Sequence, residues 1–408
     1  MPEVIVGRDE DDTKRFGTTG TLFIGKHLVG SGEETHLTTP VLLDVLRPHI
    51  ITVTGKRGEG KSYSMGILIE EMFKLPPSIK RNICGLVVDT QGIFWTMKSP
   101  AEKDAGLLKE WGLLPQGFDV TVYVPEGQEK TFSSAGVDYD GVFSFSPSEL
   151  RAEDWLRVFE LDANEPLGIL LQKSLPAGNY TIDNIVDSIK KSGATDVEKA
   201  ALENRFETAK GWGIFGSSKV PPLLEPGKMT VLDISLTPQN VRALLVGLAC
   251  NKIFIERVEA RRREELADIE VAAIKRTPMP WIFIDEAHNF LPADGDTPAT
   301  ETLNRIVKEG RQPGITLVFA TQRPEKLHPD ALAQTDMIIS HRLTAKNDVD
   351  ALKAIMQTYL LYDIGKYINE LPKLKGVAII LDDNSERMYK VRMRPRQSWH
   401  AGSSPVAI

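Results

Sequence analysis

The sequence has few cysteines and no long apolar run. Only Cys84 and Cys250 occur among the 408 residues, and both stand in apolar stretches, so we expect buried thiols rather than a disulfide or a zinc site. No segment approaches the roughly 18 consecutive apolar residues that a membrane span requires. The amino-terminal segment lacks the basic region and apolar core of a signal peptide. We therefore expect a cytoplasmic protein that does not associate with a membrane.

Basic residues are not in excess either. The formal net charge of −7 excludes a surface coated with positive charge for nonspecific nucleic-acid binding. A local basic track stays compatible with this charge, because binding depends on the field at the contact rather than on the total. The length of 408 residues exceeds one average domain, so we expect two domains or one large core with insertions.

The clearest functional pattern lies between residues 50 and 75. Ile50 to Thr54 are apolar and β-branched, which predicts a buried parallel strand, and an apolar helical pattern runs from Tyr63 to Leu75. The eight residues from Gly55 to Ser62 match the phosphate-loop pattern G-x-x-x-x-G-K-[ST]. Because the match stands between a strand and a helix, it predicts a site for a nucleoside triphosphate rather than an incidental glycine-rich turn.

Each residue type in this loop has an expected task. The glycines let the backbone turn tightly and direct its N–H groups at the phosphates. Lys61 is expected to reach the β- and γ-phosphates, and the Ser62 hydroxyl to hold Mg²⁺. The predicted nucleotide-binding residues are Gly55, Lys56, Arg57, Gly58, Glu59, Gly60, Lys61, Ser62 and Tyr63.

A second motif supplies carboxylates. Residues 281–284 are apolar and run directly into Asp285 and Glu286, as in a buried strand that delivers acids beside a phosphate loop. Asp285 is expected to hold Mg²⁺, directly or through water, because magnesium prefers hard oxygen ligands. Glu286 is then placed to orient or deprotonate the water that attacks the γ-phosphate. An acidic helix cap is the alternative, and the phosphate loop argues against it.

Further polar residues stand at strand ends and turns. Gln322 follows the predicted buried strand 315–320 and can sense the γ-phosphate or position water. Arg311 lies in the glycine-flanked segment 310–314 and can reach a neighbour's site as an arginine finger. From its spacing alone, an ordinary surface arginine is the favoured interpretation of Arg311. Asp89 ends another predicted strand, where contact with a nucleotide or partner and a turn role are both compatible.

Strands and helices alternate along the chain, which predicts an α/β fold with a mostly parallel sheet flanked by helices. Further strands are expected at 84–89, 120–124, 141–145, 229–234 and 337–343, with a closing β-hairpin from 376–381 and 386–393. A long helix is expected after Thr237 and Pro238, with the Thr237 hydroxyl as its cap and its end in the run 261–265. We divide the chain into a short amino-terminal β element (1–48), a first core part (49–146), a helical insertion (147–222), a second core part (223–395) and a carboxy-terminal tail (396–408).

Four stretches together resemble the HerA–FtsK group of ring-forming P-loop DNA translocases, and HerA more closely than FtsK. They are residues 55–62, 284–292, 309–314 and 319–324. The resemblance implies a RecA-like core and a homo-hexamer that binds ATP between its subunits and moves double-stranded DNA. It also implies that Lys61 and Glu286 form the catalytic pair, that Gln322 is a sensor, and that Arg311 is a finger given in trans.

The resemblance also implies a partner. HerA proteins act with NurA-type nucleases in DNA end processing, or with nuclease or NAD-consuming effectors in antiviral defence. They usually begin with a β-barrel, whereas fewer than fifty residues precede the phosphate-loop strand here. We expect a nuclease or defence effector as partner.

Two alternatives stand beside this interpretation. The first is an ATP-assembled ring that organises and activates an effector without moving DNA. The second is a DEAH-type RNA helicase, suggested by the four residues from Asp285 to His288. That family needs a second RecA-like domain with further arginine motifs, and the 120 residues after His288 are too few for one.

Overall fold

The computed structural model describes residues 3–30, 35–355, 367, 371–372, 374 and 376–402. Parts of three predicted segments therefore lie outside the described residues. These parts are 1–2 and 31–34 of the amino-terminal element, most of 356–375 in the second core part, and 403–408 of the tail.

The strands of the described part of the chain join into one sheet of thirteen. Their bounds are β1 Val4–Val6, β2 Thr21–Val29, β3 His36–Asp44, β4 Ile50–Thr54, β5 Ile83–Asp89, β6 Thr121–Pro125, β7 Gly141–Phe143, β8 Met229–Asp233, β9 Met279–Ile284, β10 Thr316–Thr321, β11 Met337–Ser340, β12 Val377–Asp382 and β13 Arg387–Met393. The order across the sheet is β1-β3-β2-β13-β12-β11-β4-β10-β9-β5-β8-β6-β7.

Every neighbouring pair from β11 to β7 is parallel, which confirms the predicted mostly parallel sheet. The strands β12 and β13 pair antiparallel and form the predicted hairpin. Because parallel strands carry their connections across the faces of the sheet, the helices must lie on both sides.

The helices are α1 Glu10–Phe16, α2 Lys61–Lys74, α3 Pro77–Lys80, α4 Ala105–Glu110, α5 Glu129–Ser134, α6 Ala152–Val158, α7 Pro166–Ser174, α8 Ile182–Lys191, α9 Asp196–Lys210, α10 Gln239–Glu270, α11 Thr300–Glu309, α12 Pro329–Ala333 and α13 Lys346–Ile355. Short 3₁₀ helices occupy Trp95–Lys98, Glu102–Asp104, Glu126–Gln128, Pro147–Glu149, Ala287–Asn289 and Pro324–Lys326. Among the helices that the structure describes, none is long and apolar enough to cross a membrane.

The central strands are apolar on both faces because helices cover both faces. In β9, Ile282 and Ile284 join one buried cluster while Trp281 and Phe283 join another. Side chains of α2 complete the second cluster, and α10 with the helices α6–α9 completes the first. The alternation follows from the two-residue period of a strand. The helices α6–α9 lie between β7 and β8, where the sequence predicts a helical insertion.

The amino-terminal residues form longer strands than the short pieces expected from the sequence. The strands β2 and β3 each have nine residues, and β2 also pairs with β13, so this element extends the main sheet. Gly25 permits the approach of β13, because a Cβ there would lie 2.3 Å from the Arg392 carbonyl oxygen. The division of the chain at residues 48 and 396 stays a prediction, although the strands before residue 48 belong to this sheet.

Two local expectations are wrong. The long helix α10 begins at Gln239 without a side-chain cap, and the Thr237 hydroxyl instead donates to Gln128 at 3.1 Å. The helix also continues to Glu270, beyond the run 261–265 in which the sequence predicts its end. Arg261 pairs there with Glu264 and Glu265, and charges of opposite sign three and four positions apart stabilise a helix.

Candidate functional site

The phosphate loop joins the end of β4 to the start of α2. Gly58 and Gly60 have φ angles of 80° and 112°, which residues with a Cβ rarely adopt, so glycine is required at both positions. The first turn of α2 contains no acidic residue. Its N–H groups and the positive end of the helix dipole are therefore available to an anion. The local backbone is therefore suited to a phosphate group before any side chain is considered.

A buried histidine lies under the loop. His341 accepts a hydrogen bond from Ser64 through Nε2 at 2.8 Å, and its Nδ1 donates to the Val377 carbonyl at 3.1 Å. Burial lowers the pKa of His341 to about 4, so the ring is neutral, as these two bonds require. A Cβ on Gly55 would lie 2.7 Å from the His341 Cβ, so the loop rests directly on this ring. No motif marks His341; the only signal in the sequence is its place at the end of the apolar run that begins at Met337 and forms β11.

Lys61 is buried in the first turn of α2, with 7% of its surface exposed. Its Nζ lies 3.4 Å from the Lys56 carbonyl oxygen. Burial lowers the pKa of Lys61, and the charges of Glu286 and Asp285 oppose that shift. Arg57 and Gly58 are exposed at the tip of the loop. Lys56 and Glu59 form an ion pair at 3.2 Å. A bound triphosphate would place further negative charge beside the buried ammonium group of Lys61.

Ser62 and Asp285 meet, as the sequence predicts for two magnesium-binding residues. The Ser62 hydroxyl donates to Asp285 Oδ2 at 2.7 Å. Ser62 lies in α2, just after the loop that follows β4, and Asp285 follows β9. One strand, β10, lies between β4 and β9, and parallel pairing aligns the carboxyl ends of all three. Burial raises the pKa of Asp285, whereas the Ser62 hydrogen bond and Lys61 lower it. A hydroxyl oxygen beside a buried carboxylate is a donor set that fits Mg²⁺.

Glu286 occupies an unusual position at the end of β9. Its backbone is left-handed, with φ 50° and ψ 45°, which is strained for a residue with a Cβ. Its buried Oε2 has no hydrogen-bond partner within the described parts of the chain. Burial and then the charge of Asp285 raise its pKa, while Lys61 and the Gln322 N–H group lower it. A carboxylate oxygen without a hydrogen-bond partner, held beside the phosphate loop by a strained backbone, is the geometry expected of a residue that positions water.

The loop after β10 lies against Glu286. The backbone N–H of Gln322 lies close enough to Glu286 to oppose the rise in the pKa of that carboxyl, so the predicted sensor is at the site. The neighbouring Arg323 is exposed; its charge also opposes the raised pKa of Glu286, and it adds to burial in lowering the pKa of His288. His288 Nδ1 lies 3.0 Å from the Thr321 hydroxyl and 3.5 Å from Glu286 Oε2. Arg323 therefore adds a positive charge to the site, and no motif in the sequence predicts this role for it.

Two predicted residues do not bring their side chains to this place. The Tyr63 hydroxyl accepts a 2.6 Å hydrogen bond from the Arg396 backbone N–H, and its ring packs on His400 at 5.4 Å. Only the backbone of Tyr63 remains near the loop. Arg311 is exposed in the turn before β10, whereas Gln322 follows the other end of that strand. A six-residue strand spans about 20 Å. Arg311 therefore lies at the amino-terminal ends of the strands, whereas its own phosphate loop lies at their carboxyl ends.

Asp89 has a local structural role. Its two carboxylate oxygens accept hydrogen bonds from the backbone N–H groups of residues 91–94, at distances from 2.7 to 3.0 Å. These four bonds hold the turn after β5. Of the two roles that the sequence left open, the structure therefore supports the turn.

A phosphate loop after one strand, Gln at the tip of the next strand and Asp-Glu at the tip of the strand beyond it are the arrangement of a P-loop NTPase. Family comparison agrees with it. The profile described as "Helicase HerA, central domain" matches residues 22–253, which is more than half of the chain. The chain belongs to the HerA helicase family. A second profile, "Helicase HerA-like C-terminal", matches residues 270–398.

Similar proteins cover different shares of this HerA-family chain. A probable helicase of Methanocaldococcus jannaschii, MJECL08, is 25% identical over 398 residues, which are 93% of this chain and 72% of the relative. The DNA double-strand break repair helicase HerA of Sulfurisphaera tokodaii is 21% identical over 95% of this chain and 72% of its own. The protein of that name from Pyrococcus furiosus is 29% identical over 162 residues, 35% of this chain and only 29% of the relative.

Structural comparison supports the fold. The structure of VirB4 of Thermoanaerobacter pseudethanolicus superposes with a TM-score of 0.55 at 11% identity, covering 92% of this chain and 96% of VirB4. At that identity the similarity shows the P-loop NTPase fold alone.

Proposed function

We propose that this HerA-family chain is an ATPase that works as a homo-hexameric ring and moves double-stranded DNA. The observation that carries the ring is the separation of Arg311 from the phosphate loop by the length of β10. An exposed arginine at that edge cannot serve its own site, but in a head-to-tail ring it faces the site of the next subunit. Each ATP site is then completed at a subunit interface.

The residues divide the work of hydrolysis. The loop N–H groups, the α2 N-terminus and Lys61 hold the phosphates of ATP in line for attack. Ser62 and Asp285 would hold Mg²⁺, which supplies charge neutralisation at the β- and γ-phosphates. Glu286 orients the attacking water and accepts its proton through the unpartnered Oε2. Gln322, whose backbone N–H lies near the Glu286 carboxylate, is the candidate sensor of the γ-phosphate.

Mixed rings test the completed site. Lys61→Ala removes the phosphate contact in one subunit, and Arg311→Ala removes the finger offered to the next. Each variant alone should lose ATP turnover. In an equal mixture, about a quarter of the head-to-tail interfaces combine an intact loop with an intact finger. We expect ATP turnover to return in that mixture, and no return at any mixing ratio would contradict a finger that acts in trans.

The DNA-moving function and the effector partner rest on family membership and need a separate test. A NurA-like nuclease, or a nuclease or NAD-consuming defence effector, is the proposed partner. Particle size measured with and without ATP and double-stranded DNA, together with the ATPase rate, separates the motor from the scaffold. A hexamer whose ATPase is stimulated by DNA supports the motor. ATP-dependent assembly with a rate indifferent to DNA supports the ring that organises an effector without moving DNA.

A further inference from the structure

The structure assigns Arg257 of α10 as a positioning residue that holds the Arg311 turn in the shape needed to present its arginine to a neighbouring subunit. This inference rests on the proposed function, because it concerns how the finger is presented. It adds a residue that neither the motifs nor the family profiles single out.

Arg257 is buried, with 2% of its surface exposed, although it belongs to a helix that carries solvent-facing arginines. Its Nε donates to the Pro313 carbonyl oxygen at 2.9 Å, two residues after Arg311. Its Nη1 donates to the Thr277 carbonyl oxygen at 2.8 Å. A planar guanidinium with fixed N–H directions can join two backbone carbonyls at once, which an ammonium group does less well.

A buried carboxylate completes the arrangement. Glu264 Oε1 lies 3.2 Å from Arg257 Nη1 and also accepts the Thr277 N–H at 3.2 Å. Arg257, Glu264, Thr277 and Pro313 are called the clamp below. The clamp joins α10, the segment before β9 and the turn before β10. Glu264 balances the charge of Arg257, so the guanidinium needs no acid from the turn to compensate it.

The turn itself is closely defined. Gly310 N–H donates to the Ile306 carbonyl at 2.7 Å, and Ile315 N–H donates to the Gly310 carbonyl at 2.8 Å. Gly314 has a φ of 83°, which glycine adopts without strain. These bonds fix where the turn leaves α11 and enters β10, and the clamp fixes its middle. The Arg311 side chain has no ion pair or hydrogen bond within the residues that the structure describes, so the backbone alone positions it.

The test removes the clamp without leaving an unpaired buried charge. In the double variant Arg257→Met with Glu264→Met, both partners of the ion pair are replaced by apolar side chains of similar length, which a folded core tolerates better than loss of one. Arg263→Met is the matched control, because Arg263 is exposed on the same helix. Since a displacement of about 1 Å can cost about a hundredfold, we expect ATP turnover to fall about a hundredfold in the double variant. ATP binding and the turnover of the control should be unchanged.

Mixed rings show on which site the clamp acts. The double variant keeps its own phosphate loop, so addition of Lys61→Ala subunits, which carry sound fingers, should restore turnover. Addition of Arg311→Ala subunits should not, because both partners then lack a working finger. The opposite pattern would overturn the inference, since it would place the defect in the variant's own site. So would wild-type turnover in the double variant.

Two further arms keep the outcome interpretable. If the double variant does not fold, Arg257→Lys keeps the charge beside Glu264 but cannot join both carbonyls in the same way, and it should give a smaller loss with the same mixing pattern. If Arg311→Ala and Lys61→Ala fail to complement each other, the trans finger of the proposed function is wrong and the role of Arg257 falls with it. If they do complement and the clamp variants do not follow their pattern, only the inference about Arg257 fails.

Discussion

His49 connects the amino-terminal strands to the core, and its protonation gives a quantitative prediction. The ring is 97% buried just before β4, with 3% of its surface exposed. Its Nδ1 lies 2.7 Å from Asp336 Oδ2, and its Nε2 lies 3.2 Å from Asp44 Oδ2. Asp44 ends β3 and also pairs with Arg8, whereas Asp336 precedes β11. A doubly protonated imidazole therefore joins two parts of the sheet.

The size of this effect follows from the pKa. Burial opposes the charge on His49, but the hydrogen bonds and charges of Asp336 and Asp44 outweigh it and raise the pKa from 6.5 to about 9. A difference of that size corresponds to about 3 kcal/mol of stability. Because the folded-state pKa is the higher one, the stabilisation is complete below pH 6.5 and is lost as the pH rises to about 9.

The perturbation is Asp336→Asn, which replaces the nearer carboxylate by a neutral amide. The amide keeps an oxygen that can accept the hydrogen bond that the Ile50 N–H donates to Asp336 Oδ1. We expect a loss of about 1–2 kcal/mol at pH 6, and a flatter dependence of stability on pH between 6.5 and 9. Urea unfolding followed by circular dichroism across that range measures both. Asp294→Asn, in an exposed loop, is the control for removing one carboxylate. If Asp336→Asn keeps the wild-type pH dependence, the assignment of a charged His49 is wrong.

Three further predictions concern the site and its supports. Glu286→Gln should keep ATP affinity and lose turnover at least a hundredfold. Because burial and the charge of Asp285 raise the pKa of Glu286 above 4.5, the wild-type rate should begin to fall at a pH above 4.5 as the solution is acidified, which a pH–rate profile measures. Arg323→Ala should lower turnover without rescue by Lys61→Ala subunits, because both residues lie in one site; rescue in the mixed-ring assay would place Arg323 in trans. Gly66→Ala should lower the stability by about 1–3 kcal/mol and the thermal unfolding midpoint with it, although alanine ordinarily favours a helix. The reason is that the new methyl would lie 2.6 Å from the buried Arg396 guanidinium. An unchanged midpoint would show that Arg396 can move.

The sheet was predictable from the sequence because its central strands are buried on both faces. The apolar run that enters the phosphate loop coincides with β4, and β9 begins at Met279, two residues before the predicted run 281–284 that enters Asp285. The edge of the sheet was less predictable. The strand β2 mixes buried and half-exposed residues, and β3 is buried only over its last four residues. They also include Gly25 and Pro40, which weaken a strand signal. Part of β2 pairs with β13, from more than 360 residues further along the chain.

The site was predictable where each function depends on a local pattern and not where it depends on long-range contact. Ser62 and Asp285 are named by their motifs, and the structure places them 2.7 Å apart. His341 carries no motif, because its role under the loop arises from the pairing of β11 with β4. Tyr63 was included for its position after Ser62, yet its side chain is drawn away by the backbone of Arg396. Local sequence gave no indication of either contact.

The first residues of the predicted tail contact the core. Arg396 lies in that segment and Arg394 just before it, and both are buried. Glu70, in the middle of α2, accepts hydrogen bonds from both guanidinium groups, from the Gln397 and Ser398 N–H groups, and from the Ser398 hydroxyl. A buried carboxylate is stable there only because every one of these donors is present. The same helix begins with Lys61 at the phosphate loop, so the position of the loop depends on residues near the carboxy-terminal end of the described chain.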